Sequence, residues 1–269
     1  MKKSRTFFLT SLVLVLSLFV GCKPQYHVNI LSSAGDGLDL KAVTALLQEV
    51  NDAEDFEKKL NSPELRINNL DLNEDNQVDY IKVTEYGEGD IRGFSLTVET
   101  GPEDEQEVAT IEIQKESDDQ VQCQTKGNEQ IYGSRHYYHS HFGISDFLLW
   151  TYIWSSHRPY RSGFGYNRYP GGYSRYSALS GDQYKNQMNM RNTTNVQSAR
   201  TSAFTSANPS PNAGKVAKNI KAPLKNPTAT QRAFQQRNPS RSVRSGGFGT
   251  RSVRSSTRSR SFGGGSFGK

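Results

Sequence analysis

The 269-residue chain has only two cysteines, Cys22 and Cys123, which excludes a disulfide-rich scaffold. Long apolar sequence is equally scarce. A single run, residues 7–20, approaches the length of a membrane span, so a multi-pass membrane protein is excluded. Acidic residues almost vanish from residue 158 onward, where Asp182 stands alone against 20 Lys and Arg, a net charge of +19. Basic residues are the scarce kind before it: residues 23–157 carry 10 Lys and Arg against 26 Asp and Glu, a net charge of −16. The overall charge of +6 therefore conceals an acidic half followed by a basic half. A hydrophobic content of 34% and a mean hydropathy of −0.72 are too low for one core running from end to end, so part of the chain is expected to stand outside the folded domain.

Lys2, Lys3 and Arg5 precede the apolar run of residues 7–20, the pattern of an export signal rather than of a span. The run ends in Leu18-Phe19-Val20-Gly21-Cys22, which resembles the lipobox of bacterial lipoproteins, with Phe19 where leucine is usual. The resemblance implies that residues 1–21 are a signal peptide, that Cys22 is acylated and becomes the mature N-terminus, and that residues 22–34 tether the rest of the chain to a membrane. Each buried CH₂ contributes about 0.8 kcal/mol, so several acyl chains anchor stably. Lys23 is not the Asp that retains such proteins at the inner membrane. The expected location is thus the cell envelope, as an outer-membrane lipoprotein facing either the periplasm or the surface. Cys123, flanked by Val121 and Thr125 in alternation, reads as a packed strand residue.

The fold class expected is α+β: short N-terminal helices followed by an antiparallel sheet meander, a short aromatic helix and a long disordered C-terminal tail. Leu38, Leu40, Val43, Leu46, Leu47 and Val50 recur at helical spacing, and a second helix is expected over residues 53–60, capped by Asn51 or Asp52 and stopped at Asn61-Ser62-Pro63. From Glu64 the period becomes two. Strand-like runs at 65–67, 78–83, 94–98, 108–113 and 121–123 are separated by turn sequences at 87–90, 101–102 and 117–119. Short connections favour antiparallel neighbours, and helices that precede strands argue against a parallel nucleotide-binding sheet. The domain boundaries expected are 35–133 for the acidic domain, 134–176 for an aromatic and histidine-rich neck, and 177–269 for the basic tail.

Asp71-Leu72-Asn73-Glu74-Asp75-Asn76-Gln77-Val78-Asp79 sets oxygen-bearing side chains at positions 1, 3, 5 and 9, a spacing that converges hard ligands on one point, as Ca²⁺ requires. It is similar to the first nine positions of an EF-hand loop, although Asn76 replaces the turn glycine and Lys82 stands where a bidentate Glu belongs. Because a strand follows, it resembles more closely the D-x-N-x-D-x-x-x-D loops of FG-GAP-type repeats. That likeness implies Asp71, Asn73, Asp75 and Asp79 as side-chain ligands and the Gln77 carbonyl as a fifth. The alternative is a polar turn in which Asp and Asn cap their own backbone. More widely, residues 67–71 through 80–83, then 108–112 and Ile131-Tyr132-Gly133, resemble an uncharacterised family of bacterial envelope proteins, which brings no activity with it.

Residues 132–176, the neck and its approach, hold 14 aromatics. Ser145-Asp146 ahead of Phe147 to Trp154 reads as a capped helix, either closing the sheet or lying at a membrane interface. His136, His139 and His141 offer imidazoles that a transition metal could use, with Asp146 the nearest carboxylate expected to assist. In residues 177–269, Ile, Leu, Val and Phe number 12 of 93, below what offsets the entropy of ordering, and 16 Lys and Arg meet one Asp. Arg241, Arg244, Arg251, Arg254, Arg258 and Arg260 fall in its Arg/Ser/Gly repeats and are the expected polyanion contacts. The function expected is non-enzymatic: a membrane-anchored lipoprotein with a possible Ca²⁺ loop, whose basic tail contacts lipopolysaccharide or other anionic envelope polymers, or another copy's acidic domain, without specific nucleic-acid binding. The alternative is a metal-dependent envelope hydrolase built on His136, His139 and His141.

Overall fold

The computed structural model describes residues 34–204 and 209–237. The expected signal peptide (residues 1–21), Cys22 and the arginines Arg241, Arg244, Arg251, Arg254, Arg258 and Arg260 lie outside the described residues, as does all but the last residue of the expected tether.

Two short helices open the fold. Asp39 accepts hydrogen bonds from the Lys41 and Ala42 N–H groups and starts α1 (Leu40–Leu46), which tightens into a 3₁₀ turn at Leu47–Glu49. Asp52 caps α2 (Ala53–Leu60) by accepting from Asp55 N–H at 2.8 Å. Gly37 is pinned where a Cβ would fall 2.7 Å from the Asn69 carbonyl oxygen, so the chain needs glycine at this crossing.

The strands β1 (Ile81–Tyr86), β2 (Ile91–Gly101), β3 (Asp104–Lys115), β4 (Gln120–Gly127), β5 (Tyr137–Gly143) and β6 (Gln197–Ala199) form one antiparallel sheet in sequential order. A short helix, α3 (Glu129–Tyr132), links β4 to β5. The turns fall where the glycine, proline and aspartate clusters place them. Alternation along paired strands puts Ile81 and Val83, then Phe94 and Leu96, Ile111 and Ile113, Cys123 and Phe142 on one face, fully or almost fully buried against α1 and α2. Cys123 is a free thiol in this core, and burial holds it well above the usual thiol range.

Three expectations need correction. Residues 65–67 form no strand: Arg66 takes φ of +50°, and the segment offers only an isolated bridge from Asn68 to Leu38. The aromatic helix is shorter than expected and starts without a side-chain cap. A 3₁₀ turn at Ile144–Asp146 precedes α4 (Leu149–Ile153), whose Leu149 and Ile153 are buried while Leu148 is 58% exposed.

The largest correction concerns the tail. Residues 177–204 and 209–237 are ordered against the sheet and helices rather than disordered. Ser180 and Gln183 make a capping box for α5 (Gly181–Asn189), which buries Tyr184 and Met188; Ala217, Ile220, Ala222 and Leu224 are buried before α6 (Ala229–Arg237). No unit boundary therefore falls at 133 or 176; the neck and the described tail belong to the domain. Few apolar residues suffice because most are fully inserted, and because the acidic sheet supplies hydrogen-bond acceptors for the rest.

The neck and the tail each cover one edge of the sheet. Glu85 N–H donates to the Tyr160 carbonyl at 2.8 Å and Ser162 N–H to the Val83 carbonyl at 3.0 Å along β1, while β6 pairs with β5 at the other edge.

Candidate functional site

Buried carboxylates organise the docking of the basic half on the acidic half. Glu57 lies on the inner face of α2 with Ala53, Phe56 and Leu60, and is 1% exposed. Its oxygens accept from the Tyr80 hydroxyl (2.8 Å), the Ser162 hydroxyl (2.8 Å) and the Val83 N–H (2.7 Å). Burial raises its carboxyl above the usual range, against these three donors. Glu85 keeps the inward phase of Ile81 and Val83 on β1, and accepts from Tyr160 N–H at 3.0 Å and the Tyr152 hydroxyl at 3.2 Å. Farther along the sheet, Glu99 accepts from Tyr166 N–H at 2.6 Å, and Asp104 from Lys218 and Asn219 N–H at 2.8 and 2.9 Å. Glu107, 7% exposed, accepts from Ser95 and Ser210.

His157 completes a Ser155–His157–Glu85 grouping that has the residue types of a nucleophile, a base and an acid. Its hydrogen bonding assigns it a different state. Nε2 faces Glu85 at 3.0 Å and Nδ1 faces the Ser155 carbonyl at 3.0 Å, so acceptors stand at both nitrogens and favour the imidazolium. No lone pair is left for a proton from Ser155, whose hydroxyl donates to the Tyr152 carbonyl at 2.7 Å. Burial pulls the imidazole down, but the Glu85 and Ser155 bonds outweigh it and the net shift is upward. A histidine raised in the folded state contributes stability fully below its unfolded value, near 6.5, and loses it as pH rises through the folded value. Melts of the protein and of His157→Gln should therefore differ by up to about 1 kcal/mol at pH 6 and converge by pH 8.5. A difference that does not shrink with pH would remove the imidazolium from this latch.

In the loop 71–79 the Asp and Asn side chains accept hydrogen bonds from the loop's own backbone. Asp71 accepts from Asp75 N–H (3.0 Å) and Asn76 N–H (2.9 Å), Asn73 accepts from Asp75 N–H (3.0 Å), and Asp75 accepts from Gln77 N–H (2.8 Å). Asn76 adopts φ of +64°, in the left-handed region that glycine favours and asparagine tolerates, and Glu74 adopts +53°. Asp79 is 4% exposed, and among the described residues its carboxylate accepts one hydrogen bond, from Leu72 N–H at 2.6 Å. Burial first, then the charges of Asp71 and Asp75, push its carboxyl up to about 8, opposed by the Leu72 N–H and by Arg175. Lys82, at the position of the missing bidentate Glu, pairs instead with Glu99 and Glu105. Among the described residues, no three His, Cys, Asp or Glu side chains stand close enough to hold a metal ion as they are.

The histidines of the neck are strand and loop residues. His139 and His141 occupy one face of β5, opposite Gln124 and Gln122 of β4. His141 Nδ1 pairs with Glu116 at 2.7 Å, while His136 lies 6.4 Å from the Tyr132 ring. The three imidazoles are not brought to a common point. Glu57, Glu85, Arg175 and His157 are not among the site residues expected from the sequence, although Glu57 and Glu85 sit in phase with core residues, which is a readable signal for a buried acid. Comparison with known families, curated proteins and solved structures finds no match to this chain.

Proposed function

We propose that the protein is a non-enzymatic, lipid-anchored envelope protein whose acidic α+β domain holds the first part of its own basic half and presents the last part to anionic polymers. The observation that carries this reading is the use of the sheet's acids. Glu85, Glu99, Asp104 and Glu107 accept hydrogen bonds from the chain between Tyr160 and Asn219. Carboxylates spent in this way are structural acceptors, and the arginine-rich residues beyond them remain the source of free positive charge. Acylation of Cys22 fixes the domain at the outer membrane, where lipopolysaccharide phosphates are the nearest polyanions. Contact with a second copy's acidic face is the weaker partner, because that face is largely occupied within the chain. The loop at Asp71, Asn73, Asp75 and Asp79, with the Gln77 carbonyl, takes Ca²⁺ in this reading. Support comes from its Asp71 and Asn73 turn and from a buried Asp79 that lacks a counter-charge of its own.

The test is a salt series with the full mature chain, its N-terminal peptide first shown by mass to carry acylated Cys22. Titrated with lipopolysaccharide and with duplex DNA as a polyanion of known charge spacing, affinity for DNA should fall by about a thousandfold between about 50 and 200 mM salt if six phosphate contacts form. Replacing the six arginines between Arg241 and Arg260 by serine should flatten that dependence. Equal affinity and equal salt slope in the two proteins would refute the reading.

A further inference from the structure

The cation loop is not open to solvent on all sides: a segment from the basic half lies along it. Val78 N–H donates to the Tyr176 carbonyl at 2.8 Å and Ala178 N–H to the Asn76 carbonyl at 3.3 Å, with an antiparallel bridge between Gln77 and Ser177. One residue before this short ladder, Arg175 places Nη2 at 2.8 Å from Asp75 Oδ2. We propose that Arg175 is a built-in competitor for the loop's cation, so that Ca²⁺ and the docked segment 173–178 exclude one another at Asp75. This rests on the calcium reading above and assigns its regulation.

Three observations support it. Asp79 is a carboxylate 4% exposed, and no described residue donates to its second oxygen. As an anion such a group is costly unless a cation lies near it, and without one it keeps its proton, so a cation that binds here displaces that proton. Arg175 supplies that cation imperfectly. Its Nε is shut away from water without a partner, so the guanidinium fork makes one charged contact where a bidentate pair would make two. Ca²⁺ takes 6–8 oxygen ligands at about 2.3–2.6 Å, and a guanidinium 2.8 Å from Asp75 Oδ2 sets a like charge beside the place the ion would take. When Arg175 leaves, the neighbouring Tyr173 is held by ring contacts with Tyr80 and Tyr169 and by its N–H bond to the Pro170 carbonyl. Its hydroxyl is buried without a partner, and its hold on Tyr80 is an edge contact at 5.1 Å between ring centres.

Calcium chloride titration of the full mature chain and of Arg175→Gln, at one salt concentration, reads the competition directly. Loss of a half-buried ion pair should tighten calcium binding about five- to tenfold in Arg175→Gln. In the wild type, calcium should also speed amide exchange at Val78 and Ala178, whereas in the variant exchange at both should already be fast without calcium. Arg175→Lys, which keeps the charge but not the fork, should lie between the two and serves if the glutamine variant does not fold. Calcium binding of equal strength in all three proteins, or slower exchange on adding it, would overturn the competition and leave the calcium site standing. Absence of millimolar binding in all three proteins would remove the calcium reading itself, and the competition with it.

Discussion

Glu57→Ala should cost about 3–5 kcal/mol of stability, enough to unfold a marginal domain, whereas Glu57→Gln should cost about 1 kcal/mol or less. The difference lies in the donors left behind. Alanine leaves the Val83 N–H and the Tyr80 and Ser162 hydroxyls facing a cavity in the core. Glutamine can turn its carbonyl to Val83 N–H, which cannot change role, and offer its NH₂ to the two hydroxyls, which rotate to accept. The glutamine variant also removes a titration. A carboxyl raised by burial makes the folded state weaker as pH rises above the unfolded value near 4.5, so the wild type should lose stability between pH 4.5 and the folded value and Glu57→Gln should not. Urea melts of the three proteins at pH 4.5 and 7 check both points; similar losses for alanine and glutamine would mean that the hydrogen bonds to Glu57 carry little.

Ending the chain after Tyr176 should lower stability by several kcal/mol, with a fall of more than about 10 °C in Tm. Composition alone marks those residues as dispensable, yet the truncation would expose the surface now covered by Tyr184, Met188, Ile220 and Leu224. Full burial of such side chains contributes about 1.5–3 kcal/mol each, offset in part by the entropy of ordering the segment. It would also remove Tyr184, whose hydroxyl accepts from Asp39 N–H at 2.8 Å and donates to the Ile67 carbonyl at 2.6 Å, tying α5 to the start of α1. Thermal melts of the mature chain and of the truncated form decide it. An unchanged Tm would return the tail to a passive appendage.

The legible parts of the fold were those where period and turn chemistry agree. The alternation at 94–98, 108–113 and 121–123, with Gly, Pro and Asp clusters between, marked β2, β3 and β4 and their antiparallel order. Asp52 was among the caps expected for α2 and is the one used. The histidine segment concealed β5, because tyrosine and histidine on alternate positions suggest ligands as readily as a strand with one buried face. The tail was misjudged for a different reason. Hydrophobicity counts measure how much core a segment can make for itself, and this one completes a core made by others; Gln231, 3% exposed, is buried by donating to the Ala217 carbonyl. At the candidate loop the ligand spacing was plain in sequence, but Arg175 lies 100 residues beyond Asp75 and no local pattern links them.

The covered edges of the sheet bear on how the chain matures. Strands β1 to β5 are complete by residue 143, but the residues that close the edge of β1 lie at 160–162 and those that close the edge of β5 at 197–199. A chain delivered N-terminus first therefore passes through an interval in which a nearly finished sheet has two open sides and no partner for either. Pairing over such sequence separations is slow, and open edges recruit other chains. Crowding of nascent copies during that interval favours strand exchange between molecules over closure within one. Slowing the arrival of residues 160–199 should therefore lower the yield of correctly folded protein more than a modest loss of stability in the finished domain does.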